Sequence, residues 1–201
     1  MTDIEPELLD RARRGDREAH AALYRAFAPM VYTLARRMLG SRVLAEDVVQ
    51  DVFVDVIRKA AQHREAASIG AWIKRIAVNK AIDQLRSPWL KRRESVEHDD
   101  VGASEASASG DTVIGTPLEH EDERLAELLR ALDALPQTTR AVVWLYDVEG
   151  YSHEEIGRLM GRSTSFSKSQ ISRAHAELRR VLRCDPIDEG TEPCLGVLKT
   201  V

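Results

Sequence analysis

Residues 151–183 read YSHEEIGRLMGRSTSFSKSQISRAHAELRRVLR, and their pattern predicts the fold of the C-terminal part of the chain. Ser152 and Glu155 have the Ser-x-x-Glu spacing of a helix capping box, and Gly161 follows the last apolar residue of the short helix that this box begins. A longer helix is predicted after the glycine, with polar and basic residues in its first turns. This pattern is typical of a helix-turn-helix, whose second helix enters the major groove of DNA. The alternative interpretation is a helical hairpin with a solvated charged face.

The second of these helices carries side chains of the types that contact DNA. Lysine can donate to guanine and glutamine can bond adenine through two hydrogen bonds, whereas contacts to phosphates fix the helix without reading sequence. The residues predicted to contact DNA are Ser165, Ser167, Lys168, Ser169, Gln170, Arg173, His175 and Arg179. The apolar residues at helical spacing are predicted to face the core: Ile171, Ala174, Leu178, Val181 and Leu182.

The rest of the chain also has the apolar period of helices. Helices are predicted over residues 3–14, 16–39, 42–61, 69–86 and 119–135, and from Pro136 to Gly150. Ser41 and Ser68 are predicted to cap the third and fourth of them, while Pro29 is expected to kink the second or to begin a new segment. In the third helix one broad apolar stripe is predicted, which consists of Leu44, Val48, Val49, Val52, Phe53, Val56 and Ile57.

Charge is unevenly distributed along the 201 residues, which carry a net charge of −4. Residues 1–95 contain 18 Lys and Arg against 13 Asp and Glu, whereas residues 96–122 contain eight acids and no Lys or Arg. Mildly basic bodies on either side of an acidic connector suggest contact with nucleic acid. Residues 96–118 also lack an apolar period and are rich in Ser, Gly and Ala, which predicts a flexible linker.

These observations predict an all-α protein of two small helical domains joined by a flexible acidic linker. Aromatic residues make up only 5% of the chain, which argues against an all-β fold. The predicted division is an N-terminal domain over 1–95, the linker over 96–118, a C-terminal domain over 119–183 and a tail of unknown role over 184–201.

The sequence also argues against several classes of protein. No apolar run approaches the roughly 18 residues that span a bilayer, and the N-terminus lacks the layout of a signal peptide. We therefore expect a cytoplasmic protein without membrane insertion. Cys184 and Cys194 are too few for a disulfide scaffold, and P-loop, HExxH and CxxC motifs are absent. No cofactor, metal site or enzymatic activity is predicted.

A second basic stretch reads SIGAWIKRIAVNKAIDQLRSPWLKRR (residues 68–93). Basic side chains can follow a phosphate backbone, and interleaved aromatic rings such as those of Trp72 and Trp89 offer stacking surfaces for unpaired bases. Trp72 also fits one core face with its apolar neighbours, and this alternative stays open. Asp83 and Arg86 lie three residues apart, so they can simply pair across a helical turn.

Three motifs together resemble one family, the extracytoplasmic-function (ECF) branch of the sigma-70 superfamily. The run AWIKRIAVNKAIDQLR (residues 71–86) resembles the promoter-melting helix of that family, and LAEDVVQDVFVDVIRKA (residues 44–60) resembles its polymerase-binding helix. The run LDALPQTTRAVVWLYDVEGYSHEEIGRLMGRS (residues 132–163) resembles the C-terminal region that binds the −35 promoter element. Order, spacing and linker match over nearly the whole chain, except the last 18 residues or so.

The resemblance implies roles for individual residues and for partners. Docking on the β′ clamp helices of core RNA polymerase is implied for Glu46, Asp47, Gln50 and Asp51. Residues 62–68 correspond to the loop that captures a flipped base of the −10 element. Contacts to this element are expected from His63, Arg64, Lys74, Asn79, Lys80, Asp83 and Arg86. The implied partners are core RNA polymerase, through the β′ clamp helices and the β flap, promoter DNA, and an anti-sigma factor or another inhibitor.

The chain departs from the family pattern at the start of the recognition helix. Many relatives have Pro-x-Gly-Thr-Val-Lys-Ser-Arg there, whereas this chain has STSFSKSQ (residues 163–170). Gln170 in place of Arg puts the −35 sequence preference in question, although not DNA binding. Two alternatives to a sigma factor explain less of the sequence. A helix-turn-helix regulator without polymerase leaves residues 69–86 and the acids of 46–51 unexplained, and an enzyme with a helical-bundle site lacks a candidate set of catalytic residues.

Overall fold

The computed structural model describes residues 6–60, 68–87 and 121–182, apart from the side chains of Pro6 and residues 121–125. The described part is helical with short connections and contains no strand, which confirms the predicted all-α class. The N-terminal module consists of α1 (Pro6–Arg13), α2 (Arg17–Leu39), α3 (Arg42–Lys59) and α4 (Ile69–Arg86).

Helix α2 is fixed at both ends by local interactions. The Asp16 carboxylate accepts hydrogen bonds from the backbone N–H groups of Glu18 (2.8 Å) and Ala19 (3.3 Å), and the helix ends at Gly40 in the left-handed conformation (φ 68°). The helix runs through Pro29 as one segment, so the proline does not begin a new one, and the expected kink stays a prediction. Because Pro29 lies on the exposed side, water can bond the backbone carbonyl that the proline ring leaves without a partner.

Helices α3 and α4 begin at the predicted caps and pack against α2. Ser41 Oγ accepts from the backbone N–H of Leu44 at 3.4 Å, and Ser68 Oγ accepts from that of Ala71 at 3.3 Å. The three helices bury one apolar core with Leu23, Val31, Met38, Val48, Val52, Ile73 and Ile82 among its fully buried members. Ile57 departs from the predicted stripe, because it lies at the margin of that stripe and is 51% exposed.

The C-terminal module consists of α5 (Glu121–Asp133), α6 (Gln137–Val143), a π-helical turn (Trp144–Val148), α7 (His153–Met160) and α8 (Thr164–Val181). The capping box of α7 is confirmed: Ser152 Oγ accepts from the Glu155 N–H at 3.3 Å, and the Ser152 N–H donates to the Glu155 carboxylate at 2.9 Å. The Ser152 bonds lower the pKa of Glu155 and keep its carboxylate charged. Helices α7 and α8, with left-handed Gly161 between them (φ 64°), form the predicted helix-turn-helix.

The core face of α8 is shorter than predicted. Ile171, Ala174 and Leu178 are buried as expected, but Val181 is 41% exposed and Leu182 only half-buried. Both lie at the C-terminal end of the helix. The two modules also contact each other, chiefly through α2 with α6 and through α4 with α7.

Candidate nucleic-acid and polymerase interfaces

Helix α3 presents an acidic face to solvent. Its buried positions, Ala45, Val48, Val49, Val52, Phe53 and Val56, turn the intervening polar residues outwards. All four residues predicted to bind polymerase are exposed, namely Glu46, Asp47, Gln50 and Asp51. The Arg42 guanidinium donates to Glu46 at 3.0 Å, so part of the Glu46 charge is compensated within the helix. We call these four residues the acidic face.

Apolar side chains that were not predicted to belong to a binding surface flank the acidic face. Val43, Val54 and Ile57 are 67%, 45% and 51% exposed, and they share a helix side with Asp47 and Gln50 because their spacings alternate between three and four residues. The ring of Tyr24, itself 48% exposed, lies 4.8 Å from the buried ring of Phe53 at the edge of this surface. Exposed apolar groups that cluster in this way mark protein interaction surfaces.

Helix α4 exposes a polar stripe along one side, which we call the α4 stripe: Arg75, Asn79, Asp83 and Arg86. Three of its members were predicted as −10 residues, and Arg75 was not, although it lies four residues before Asn79. Asp83 and Arg86 do not pair with each other, so among the described residues the alternative of a pair across one turn is wrong. Trp72 is half-buried and packs against the core, which favours the core alternative for this ring.

The two predicted lysines of α4 lie beside the α4 stripe and are paired with carboxylates. Lys80 Nζ lies 3.3 Å from Asp55 Oδ2 of α3, and Lys74 Nζ lies 2.9 Å from Glu149 Oε2 of the C-terminal module. The Lys59 ammonium donates to Asp55 at 3.0 Å and, with Lys80, holds the pKa of Asp55 below its ordinary value. Lys80 is therefore fixed against α3 rather than extended into solvent. Residues 61–67, which include predicted His63 and Arg64, and Trp89 lie outside the described residues.

Helix α8 divides its predicted DNA contacts between two sides. Ser165, Lys168, Arg173 and Arg179 are exposed, and Ser169 is half-buried. The other three point back into the module. Ser167 Oγ lies 3.1 Å from His153 Nδ1, Gln170 Oε1 accepts from Thr139 Oγ1 at 2.6 Å, and His175 Nε2 lies 2.9 Å from Asp147 Oδ2.

Helical spacing explains the inward side chains of α8. Ser167 and His175 lie four residues before and after buried Ile171, and Gln170 lies four residues before buried Ala174. Ser167 is fully buried, so the predicted base contact by this hydroxyl needs correction. Gln170 and His175 keep part of their surface, and their DNA contacts stay predictions.

Two further exposed residues near the start of α8 were not among the predicted DNA contacts. Ser172 shares the outward side with Lys168, and the Arg162 guanidinium lies 5.9 Å from the centre of the Phe166 ring. The same four-residue spacing that places Ser167 in the core identifies Ser172 as outward, so this signal was present in the sequence.

Comparison with known proteins agrees with this geometry. The family model described as sigma-70 region 2 matches residues 23–91, and that of sigma-70 region 4 matches residues 125–178. The sequence is 32% identical to the ECF RNA polymerase sigma factor SigM of Mycobacterium tuberculosis over 177 residues, which cover 88% of this chain and 83% of SigM. It is also 32% identical to the RNA polymerase sigma factor CarQ of Myxococcus xanthus over 174 residues, 87% of this chain and 95% of CarQ.

Two further comparisons differ in coverage. The chain is 34% identical to the ECF sigma factor SigE of Mycolicibacterium smegmatis over 162 residues, which cover 80% of this chain but only 60% of SigE. Among solved structures, the sigma factor RpoE of Bartonella quintana, in complex with the anti-sigma factor NepR, is similar with a TM-score of 0.51 and 25% identity. That likeness covers 80% of this chain and 94% of RpoE.

An exposed helix face for a protein partner, a polar helix stripe and a helix-turn-helix together define a transcription initiation factor of the sigma-70 class. The region 2 match spans most of α2 and all of α3 and α4, which a regulator that acts on duplex DNA alone would not need. The chain belongs to the ECF RNA polymerase sigma factors, which bind core RNA polymerase and direct it to promoters.

The described ranges lack the features of two other classes of site. Over residues 6–60, 68–87 and 121–182, no helix has the length and apolar character needed to cross a membrane. Within the same ranges, no group of three or more His, Cys, Asp or Glu side chains is placed to hold a metal ion. Cys184 and Cys194 lie outside them.

Proposed function

We propose that each of the three exposed surfaces makes a different contact during transcription initiation. The acidic face of α3 docks on the β′ clamp helices, the α4 stripe with the loop before it holds the −10 element, and α8 reads the −35 element. The single observation that carries this proposal is the separation of the surfaces onto different helices of the two modules. We assign the first two to residues 1–95 and the third to residues 119–183, with the linker over 96–118 between them.

The polymerase contact rests on both charge and apolar area. Exposed Asp47 and Asp51 can pair with arginines of a partner, which steers association and fixes register. Val54 and Ile57 beside them supply apolar surface that a partner can cover. Because the opposite side of α3 is packed in the core, the helix can present this face without rearrangement.

The −10 contact rests on Asn79 at the middle of the α4 stripe. Its amide can both donate to and accept from a base edge, and Arg75 and Arg86 on either side can contact phosphates. Lys80, held by Asp55, adds a fixed positive charge next to Asn79. His63 and Arg64 remain predicted contacts of the preceding loop.

The −35 contact rests on the outward residues near the start of α8. Lys168 is exposed where a recognition helix reaches base edges, and Ser165 and Ser172 lie on the same side. Arg173 and Arg179 follow along the helix and are placed to contact phosphates. The three inward residues, Ser167, Gln170 and His175, then set the orientation of α8 within its module.

Four further assignments concern the chain as a whole or its linker: enzymatic activity, location, an inhibitor and a polymerase channel. We assign the chain no reaction of its own and expect it to act in the cytoplasm, where RNA polymerase works. RpoE of Bartonella quintana is bound by the anti-sigma factor NepR, and we propose that an inhibitor of this type, or another, also controls this chain. The acidic residues of 96–118 are suited to a basic channel of the polymerase.

The test is transcription in vitro with core RNA polymerase on a library of promoter fragments. Adding the chain is expected to produce transcripts that start at a defined distance from shared −35 and −10 sequences. Core polymerase alone provides the baseline, and the chain without core provides a control for template binding. Transcripts that do not depend on the chain, or that lack shared upstream sequences, would reject the proposed function.

A further inference from the structure

The side chain of Gln170 on α8 is held by a residue of another helix. The Thr139 hydroxyl of α6 donates to Gln170 Oε1 at 2.6 Å, and the two residues are 31 positions apart in the chain. Gln170 is only partly buried, so the rest of its amide can still reach a partner outside the module. The bond to Thr139 therefore determines which end of the amide is available to that partner.

Thr139 is offered from a well-packed helix. Residues 141–143 of α6 are buried, and Arg140 Nη1 donates to the Asp133 carbonyl at the end of α5 at 3.0 Å. The Arg140 guanidinium also packs against Gly40 of α2, so closely that a Cβ atom at position 40 would overlap it. Because the neighbours of Thr139 are fixed in this way, its hydroxyl has a defined position relative to α8.

A side-chain amide has two different hydrogen-bonding groups. Its oxygen accepts, and its nitrogen donates two N–H groups. Since Oε1 of Gln170 is turned towards Thr139, the nitrogen on the same carbon is turned away from that contact. Over residues 6–60, 68–87 and 121–182, Gln170 Nε2 has no hydrogen-bond partner. Gln170 therefore presents hydrogen-bond donors to its surroundings.

The bases differ in the groups that they present in the major groove. Guanine has two acceptors, N7 and O6, whereas adenine has one acceptor and one donor, and cytosine has a donor. A free glutamine matches adenine, because its oxygen and nitrogen pair with the adenine donor and acceptor. A glutamine that presents only donors matches the two acceptors of guanine instead.

The position of Gln170 on α8 suits a contact with a base. It lies two residues after exposed Lys168 and one helical turn before exposed Arg173, in the part of a recognition helix that reaches base edges. Thr139 lies behind it, on the side of the module.

We propose that Thr139 is a positioning residue that makes Gln170 recognise guanine rather than adenine. Thr139 contacts no base and acts only through the Gln170 amide. This inference rests on the proposed function of α8 at the −35 element, and it adds the base that the element should contain where Gln170 meets it.

Base preference is measured with core RNA polymerase and the full chain on promoters randomised across the −35 element. Gln170→Ala identifies the base pair that Gln170 contacts, because discrimination is lost at that pair. The unsubstituted chain should favour G·C over A·T there by about tenfold. A preference for A·T at that pair, or a Gln170→Ala profile that is unchanged at every position, would overturn the proposal.

A modified base shows whether the amide donates to guanine. Replacing guanine at this pair by 7-deazaguanine removes the N7 acceptor, so transcription by the unsubstituted chain should fall severalfold. Gln170→Ala should show no such loss. If 7-deazaguanine has no effect on the unsubstituted chain, the amide does not donate to guanine N7, and the proposal is wrong.

Substitution of Thr139 tests its role as a positioning residue. Thr139→Val removes the hydroxyl, frees Oε1, and should shift the preference at this pair towards A·T by about tenfold. Thr139→Ser keeps the hydroxyl and should keep G·C, and the control Thr33→Val, at an exposed position of α2, should leave the profile unchanged. Equal loss of transcription from all promoters in Thr139→Val, with an unchanged profile, would show a purely structural role and reject the proposal.

Two combinations test whether Thr139 acts through Gln170. Thr139→Val added to Gln170→Ala should alter base preference no further. Arginine presents donors only, so Gln170→Arg should favour G·C both with Thr139 and with Thr139→Val. A shift caused by Thr139→Val in either background would show that Thr139 acts independently of the amide, which contradicts the proposal.

The hydrogen bond itself is tested by thermal unfolding of the full chain without DNA. Thr139→Val and Gln170→Ala should each lower Tm, and the double variant should lose less than the sum because both substitutions remove the same bond. Additive losses would reject the bond and the proposal with it. Failure of the proposed function would look different, since transcripts would then not depend on the unsubstituted chain at all.

Discussion

Helices α3 and α8 both present a face to a partner, but they are held in place by different interactions. Behind the acidic face of α3 lies a row of buried aliphatic and aromatic side chains, including Val48, Val52 and Phe53. Behind the outward side of α8, apolar Ile171 and Leu178 alternate with polar contacts such as Ser167 with His153. A surface over an apolar core tolerates polar substitution well, whereas a surface over polar contacts depends on each partner being kept.

The difference follows from the size of the modules. Three long helices, α2 to α4, bury enough apolar area to define their mutual positions, whereas the C-terminal module is built from shorter elements. Directional hydrogen bonds, including Thr139 with Gln170 and Asp147 with His175, add the positional information that a small apolar core lacks. Substitutions on α3 should therefore separate binding from stability cleanly, and substitutions on α8 should do so only at outward positions.

The largest effect is expected at the acidic face. Asp47→Lys with Asp51→Lys should weaken binding to core RNA polymerase by about 3 kcal/mol, roughly 100-fold, because two attractive charges become repulsive. The fold should stay intact, since both side chains are exposed. Titration of labelled core polymerase measures the affinity, and Glu18→Lys with Glu127→Lys is the charge-matched control. Unchanged core affinity in the acidic-face variant would disprove the docking surface.

The next largest effect is expected on the melting of promoter DNA. Asn79→Ala with Lys80→Ala should slow open-complex formation on duplex promoters about tenfold, because holding an unstacked base offsets a cost of a few kcal/mol. Templates already mismatched across the −10 element should restore most of the loss, and permanganate reactivity of unpaired thymines measures both. Lys59→Ala is the control, since it removes the other lysine on Asp55 and leaves Lys80 in place. Equal loss on both templates would assign these residues to general affinity instead.

Substitutions at neighbouring positions on α8 should separate the recognition of bases from the stability of the module. Lys168→Ala should change the preferred base at one or two positions of the −35 element, at about 1–3 kcal/mol for a lost two-bond contact. Ser167→Ala should leave the preference unaltered and lower stability by about 1 kcal/mol, because His153 loses its partner. A promoter-library profile and thermal unfolding measure the two effects. A change of base preference in Ser167→Ala would contradict the division of α8 into two sides.

The smallest effect concerns Asp55 and its dependence on pH. Its lowered pKa means that its bonds to Lys59 and Lys80 stabilise the fold above the ordinary carboxyl pKa of about 4, and that this contribution is lost as pH falls through the lowered value. Asp55→Asn should therefore lower the free energy of unfolding by about 1 kcal/mol or less at neutral pH. The difference from the unsubstituted protein should disappear in acid. Denaturant unfolding at several pH values measures it, and a constant difference would exclude the ionised pair as the cause.

Features set by short-range interactions were predicted from the sequence. The caps at Ser41, Ser68 and Ser152 and the turn at Gly161 each depend on a few neighbouring residues, so their signals are complete within the motif. Whether Pro29 begins a new segment could not be predicted, because it depends on whether its side of α2 is exposed, which no local pattern gives.

The site could be predicted only in part. Exposure of the acidic face followed from the apolar stripe of α3. On α8, Ser167 was predicted to contact DNA because of its residue type, although it lies on the core side of the helix. The interface between the modules was not predicted at all. Gln137 and the Leu39 carbonyl are separated by 98 residues along the chain, and no periodicity or cap links such distant groups.

The close contact between Arg140 and Gly40 affects how the protein unfolds. Because the C-terminal module draws part of its burial from the end of α2, the two modules are thermodynamically coupled, and heating the chain should melt them in one cooperative transition. If a substitution breaks the Arg140 contact, the smaller module loses that support and becomes the less heat-resistant half. Proteases should therefore cleave a detached C-terminal module sooner than the N-terminal module.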